Sequence, residues 1–314
     1  MKKLLLLALL IVSVHFAFSQ GCSDAGFCTM GAMKPDQPYN KKVAIKLRSM
    51  ELSFYRGTTT LTPVVYVATA DMNFSLTRKS SFQVKLPYQF VTGRLANTSS
   101  PGDISLCYTR NIFSSDKFDL NLSFGGKIPT NKSDKSIDGL PLPMYYQTSL
   151  GTYDLISGLS LINRKWLLAT GIQVPLNQNN NQFVWSDWAF TSEKEYVDLY
   201  NQAKDLRRGI DVMFRAERNF RFSKFNFSAG ILPIYRIKKD VFTKSGSEFN
   251  SPETRVSPDK AKGLACSVIF TTGYNFDAKS GVKLLLGHKI KQREVNPDGL
   301  TREFVSSFTY FYRF

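Results

Sequence analysis

The sequence predicts an all-β chain: a single antiparallel transmembrane β-barrel of about twelve strands, with short periplasmic turns, long extracellular loops and a plug-like N-terminal segment. Three observations carry this. The chain opens on a secretory leader but holds no later apolar run long enough for a membrane-spanning helix, so any span must be made of strands. Stretches of ten or more residues alternate apolar with polar or small side chains. The last of them, Phe304 to Phe314, ends the chain on an aromatic residue.

The leader comes first. Lys2 and Lys3 precede an apolar run from Leu4 to Val14, and Ala17-Phe18-Ser19 is a small-x-small cleavage site, so residues 1–19 read as a signal peptide. The mature chain then divides into a segment, 20–42, and a barrel, 43–314. The segment is Gly- and Ala-rich with no strand pattern, and its expected role is a plug or periplasmic arm. Cys22 and Cys28 read as a disulfide in an oxidising compartment. The alternative is a soft-metal set of the two thiolates with Met30 and Met33.

Composition agrees with β-structure: 25 Phe and 14 Tyr in 314 residues, with helix formers scarce. The net charge of +16 is scattered singly through strands and loops rather than grouped with aromatics. This argues against a nucleic-acid partner and for lumen and loop charge near an anionic lipid surface.

The alternating stretches fall at 43–56, 61–77, 82–93, 102–113, 117–128, 149–162, 165–176, 207–220, 225–237, 264–277, 280–293 and 303–314. An even count suits a single-chain barrel. In 117–128, Phe118, Leu120, Leu122 and Phe124 oppose Asp119, Asn121, Ser123 and Gly125. Tyr66, Tyr88, Trp166, Tyr235, Tyr274, Tyr310 and Tyr312 near strand ends suit interfacial girdles. With both barrel ends in the periplasm, every even connection is short, and every odd one but 57–60 is long. A soluble sandwich does not require that rhythm. Within 177–206, Ser192 with Glu195 forms a capping box, which predicts a helix from Ser192 to Leu206.

Gly102-Asp103-Ile104-Ser105-Leu106 and the segment Gln147 to Ser160, containing Leu150-Gly151-Thr152 and Asp154, resemble two motifs of the outer-membrane proteins of the phenol-degradation meta-pathway family. The second Gly and the Ser of that family's motif are missing here, and the likeness covers only about residues 80–180. That family is similar to hydrocarbon and fatty-acid uptake channels. The resemblance implies a monomeric outer-membrane barrel that passes small organic molecules, with the N-terminal segment as its hatch. Gln20 directly after the cleavage site resembles the leaders of Bacteroidota envelope proteins, hence a Gram-negative source.

Function follows from the faces. Inward candidates carry both signs: Glu51, Asp71, Asp119, Asp154, Asp211 and Glu217 against Lys85, Arg215, Arg236, Lys283, Lys289, Lys291 and Arg313. Such a set either lines an open, charge-selective pore or fills a closed interior. Phe308, Tyr310, Tyr312 and Phe314 form the outward row of the final strand and are candidates for the signal read by the outer-membrane assembly machinery. Cys107 and Cys266 read as free residues on opposite faces. Past the leader, the one histidine, His288, falls on the lipid-facing row beside Leu284, Leu286 and Ile290, away from any base or nucleophile. No enzyme, metal or cofactor is expected. The expected function is passive uptake of small molecules, hydrophobic ones among the candidates, with a non-conducting interaction barrel as the alternative. The partners are outer-membrane lipid, the assembly machinery and a small solute.

Overall fold

In the computed structural model the described residues are Met30, 46–58, 63–300 and 302–314. The leader, the rest of the N-terminal segment and the Cys22 and Cys28 pair lie outside them.

Twelve strands form one closed antiparallel wall. They are β1 (Lys46–Thr58), β2 (Val64–Thr77), β3 (Ser80–Thr92), β4 (Ile104–Ser114), β5 (Asp119–Ile128), β6 (Asp154–Ile162), β7 (Trp166–Pro175), β8 (Asp211–Phe222), β9 (Phe225–Arg236), β10 (Gly263–Asn275), β11 (Ser280–Lys291) and β12 (Phe304–Arg313). Each pairs with its sequence neighbours, and β12 returns to β1 with Phe308 opposite Phe54 and Tyr312 opposite Met50. Closure leaves no unpaired edge, the condition for a sheet to cross lipid.

Alternation decides which way each side chain points. In β7, Leu168 and Ile172 face out, while Leu167, Ala169, Gly171 and Gln173 face in and are buried. The outward row is apolar around the wall: Phe54 is 63% exposed and Phe124 56%. A water-soluble protein does not tolerate such a continuous band, whereas a bilayer covers it. Toward the short-turn end the band becomes aromatic, with Phe225 against Tyr274 and Tyr312 against Phe314.

Five connections are tight hairpins at this end, at 78–79, 115–118, 163–165, 223–224 and 276–279. The other end carries the long loops, which fold into a cap with its own core. Leu142, Tyr145, Tyr146, Phe183, Trp188 and Tyr200 pack there against Val65 and Val91 of the wall. A three-stranded sheet of Lys204–Arg207, Val241–Lys244 and Thr254–Val256 braces the cap.

Three expectations need correction. The sixth wall strand begins at Asp154, not at residue 149, because Gly151 takes a left-handed turn (φ 67°) that ends the extended run before it. The expected helix over 192–206 shrinks to Lys194–Val197. Ser192 does not cap it, and burial of Tyr200 and Leu206 in the cap wins over local helix preference. Residues 97–101 are not simple loop but a strand, Asn97–Pro101, that pairs antiparallel with the end of β3.

Candidate functional site: a layered lumen

The inward faces stack into layers from the loop end to the turn end. The loop-end layer is ionic. Arg236 of β9 donates to both carboxylate oxygens of Asp211 at 2.8 and 2.7 Å, and reaches Asp240 at 2.5 Å and Asp298 at 2.8 Å. Arg208 pairs with Asp154 at 2.8 Å, and Arg293 lies 3.6 Å from Asp211. Gln173 also donates to Asp154. All these groups are buried. Arg208, Asp240 and Asp298 come from the loops, so the cluster ties the cap to the wall. Asp298 is held well below the usual carboxylate range: burial opposes its charge, but Arg236, Arg293 and Arg208 outweigh it. Asp240, which shares Arg236 with Asp298, is pushed up by burial.

Beside this layer, the two segments that carry the family resemblance meet. The Asp103 carboxylate accepts hydrogen bonds from Ser149 Oγ and from the Leu150 amide at 3.1 Å. Ser149 Oγ in turn accepts from the Gly151 amide at 3.0 Å. Burial raises the Asp103 carboxyl above its usual value. An acidic strand start and a Ser-Leu-Gly turn thus form one clasp at the lumen mouth.

The middle layer is apolar. Cys107, Ile156, Ala169, Met213, Leu232, Ile234 and Ile269 all point inward, and Met30 is packed among them, 1% exposed. Below them, Arg215 Nε donates to Glu217 at 2.6 Å, with both side chains fully buried. Gly230 makes room for this pair, since a Cβ there would meet Glu217 Cγ at 2.4 Å.

Among the described residues, the opposite wall, from β10 round to β3, is less filled. Gln83 donates to both oxygens of Asp71, at 3.0 and 2.9 Å, and Lys85 stands 3.7 Å from the same carboxylate. Lys283 lies 3.9 Å from Glu51. A cavity of about 250 Å³ runs from the cap down this wall, past Val65, Asp71, Leu150, Leu285 and Asp298. A second, of about 380 Å³, opens at the turn end and is lined by Asn219, Arg221, Asn275 and Arg313 among others. Thr271 and Lys283 border both cavities.

The sequence-predicted residues therefore separate. Asp154, Asp211 and Arg236 join the loop-end cluster. Arg215 and Glu217 pair with each other, and Asp71 with Lys85. Glu51 and Lys283 face across one cavity, and Arg313 lines the other. Asp119 does not join them: it sits at a hairpin and accepts from Ser114 Oγ. Lys289 donates to Gln292 at 2.9 Å near the strand end, and Lys291 is exposed there, where β11 leaves the wall. Phe308 and Tyr310 are exposed on the outer wall, and Phe314 at the turn-end rim. Cys107 faces in, Cys266 pairs in register with outward Pro233, and both are free thiols. Arg208, Asp240, Asp298 and the apolar layer around Met30 escaped the sequence reading. Period-two alternation gives a direction to strand residues but none to loop residues.

The closed wall, the outward apolar band and the turn-and-loop asymmetry define an integral outer-membrane β-barrel. No family model and no curated protein matches the chain. Among solved structures, it is similar to an outer-membrane channel from Pseudomonas putida F1: TM-score 0.56, 12% identity, covering 89% of this chain and 100% of that one. It also aligns with the NanC porin (TM-score 0.48, 8% identity, 84% and 100% covered) and with the CymD monoaromatic hydrocarbon channel (0.43, 9%, 95% and 95%). At 12% identity, the likeness to the Pseudomonas putida F1 channel shows a common fold.

Proposed function

We propose that the protein is an outer-membrane channel for passive uptake of small solutes, narrowed by its loop cap and its N-terminal segment. The supporting observation is that the cavity under the cap and the cavity at the turn end share Thr271 and Lys283. The two cavities therefore adjoin along the β10–β12 wall among the described residues. Met30 in the middle layer supports the N-terminal segment as the plug of the other half. The apolar residues along the upper cavity, such as Val65, Leu150 and Leu285, suit solutes with an apolar part. The outward row Phe308, Tyr310, Tyr312 and Phe314 is the segment we assign to recognition by the assembly machinery.

Swelling of liposomes carrying the purified protein tests the channel. Entry of small solutes is expected, and faster entry after deletion of residues 20–42. No swelling with either form contradicts the reading. A second reading, a non-conducting barrel whose loops bind a partner, draws on the cap surface. There Phe190, 82% exposed, lies against Phe249 with ring centroids 4.7 Å apart.

A further inference from the structure

We infer that the cavity under the cap binds a monocarboxylate with an apolar body, and that Arg302 receives its carboxylate. The inference rests on the channel reading and names a solute class for it. Arg302 stands at the end of the connection from β11 to β12, lines this cavity and is 7% exposed. Its Nη1 atom is buried without a hydrogen-bond partner, and no ion pair engages the side chain among the described residues. The other charged groups on the cavity wall are engaged. Lys85 stands by Asp71, and Lys283 faces Glu51. Asp298 is held by Arg236, and Arg215 by Glu217. Asp103 accepts from Ser149 and Leu150. A buried cation without a counter-charge is costly, so a cavity that keeps one is suited to an anion.

The wall around Arg302 narrows the choice of anion. Gly57 of β1 lies in register between Val65 of β2 and Val305 of β12, both buried. A Cβ at Gly57 would meet Arg302 Cδ at 3.1 Å and the Tyr55 hydroxyl at 2.6 Å. The missing side chain is therefore the notch that admits the arginine stem, with a valine on either side. A guanidinium fork matches the planar geometry of a carboxylate and binds it through two parallel hydrogen bonds. Val67, Leu285 and Leu300 add apolar surface to the same cavity, which suits a hydrocarbon body. The cavity measures about 250 Å³, and one of roughly 150 Å³ accepts benzene, so a single ring with one carboxylate fits. Glu51, Asp71 and Asp103 on the same wall disfavour a second negative charge on the ligand.

Calorimetric titration of the detergent-purified full-length protein with benzoate, at low ionic strength, tests the cavity without requiring conduction. Saturable binding is expected. Benzyl alcohol, an uncharged analogue, is expected to bind about tenfold or more weakly, the scale of a lost charge-assisted hydrogen bond. Arg302→Gln is expected to lose this preference by weakening benzoate alone, and its unchanged affinity for benzyl alcohol reports an intact cavity. Arg302→Lys, which keeps the charge, is expected to bind benzoate more tightly than Arg302→Gln. Absence of benzoate binding by the unaltered protein, or benzyl alcohol binding as tightly as benzoate, overturns the inference. So does equal benzoate affinity in the Lys and Gln variants, or in the Gln variant and the unaltered protein. Liposome swelling reads the channel separately: binding without swelling sinks the channel and leaves the carboxylate site, and swelling without binding does the reverse.

Discussion

The two ends of the lumen use the same side chains in opposite ways. At the loop end, Arg208, Arg236 and Arg293 are buried against Asp154, Asp211, Asp240 and Asp298, and the charges are spent on one another. At the turn end, Arg221, Lys283 and Arg313 border open space. A buried ion pair tolerates little change, because removing one partner strands the other in a medium that cannot solvate it. A cation beside open space is structurally cheaper to remove. The first arrangement locks a cap, and the second lines a cavity.

The largest expected effect breaks the lock. Arg236→Ala leaves Asp211, Asp240 and Asp298 without their shared cation, and a loss of about 3–5 kcal/mol in unfolding stability is expected. Arg221→Ala at the other end should stay within about 0.5 kcal/mol, as for other exposed positions. Equal losses in denaturant titrations of the two variants would erase the contrast between the ends.

Met30→Glu places a carboxylate in the apolar layer, where no partner stands among the described residues of that cluster. The expected result is release of the N-terminal segment and faster liposome swelling. Unchanged swelling would argue that Met30 does not restrict the lumen.

Asp103→Asn replaces the charged acceptor of the mouth clasp. A loss of about 1–3 kcal/mol is expected, with faster proteolysis of the loop around Ser149. Proteolysis at the wild-type rate would show that the clasp does not hold the loop.

Acidification gives a smaller, graded effect. The Asp298 carboxyl is depressed in the folded protein, so its charge contributes stability fully above the ordinary carboxylate value of about pH 4. That contribution is lost as pH falls below this value toward the depressed one. Cap proteolysis should therefore rise in acid, and Asp298→Asn should flatten the rise. The smallest effect belongs to the exposed pair of Lys260 with Glu294: Lys260→Ala should leave thermal unfolding unchanged.

The wall was legible because a strand has one rule, alternation, and the rule sorts Phe54, Phe124 and Phe308 outward and Asp71, Asp154 and Glu217 inward without knowledge of the fold. Even the closing pair of β12 with β1 follows once the strands are counted. The cap was not legible, since its residues obey tertiary packing rather than a period. The capping box at Ser192 predicted a long helix that burial of Tyr200 and Leu206 overrode. Asp240 and Asp298 gave no sign that they would converge on Arg236 from two different loops. Met30 was legible only as part of a plug-like segment, and nothing in the strand pattern singled out Ile156, Met213 and Ile234 as the apolar surface it would meet.

Single-channel recording in planar bilayers, comparing the wild type with Arg236→Ala as heat-modifiable folded protein, tests most directly whether the loop end is the locked end. Small conductance steps are expected from the wild type, and larger or more frequent ones once the cap loses its shared cation. Identical conductance in the two proteins would contradict it.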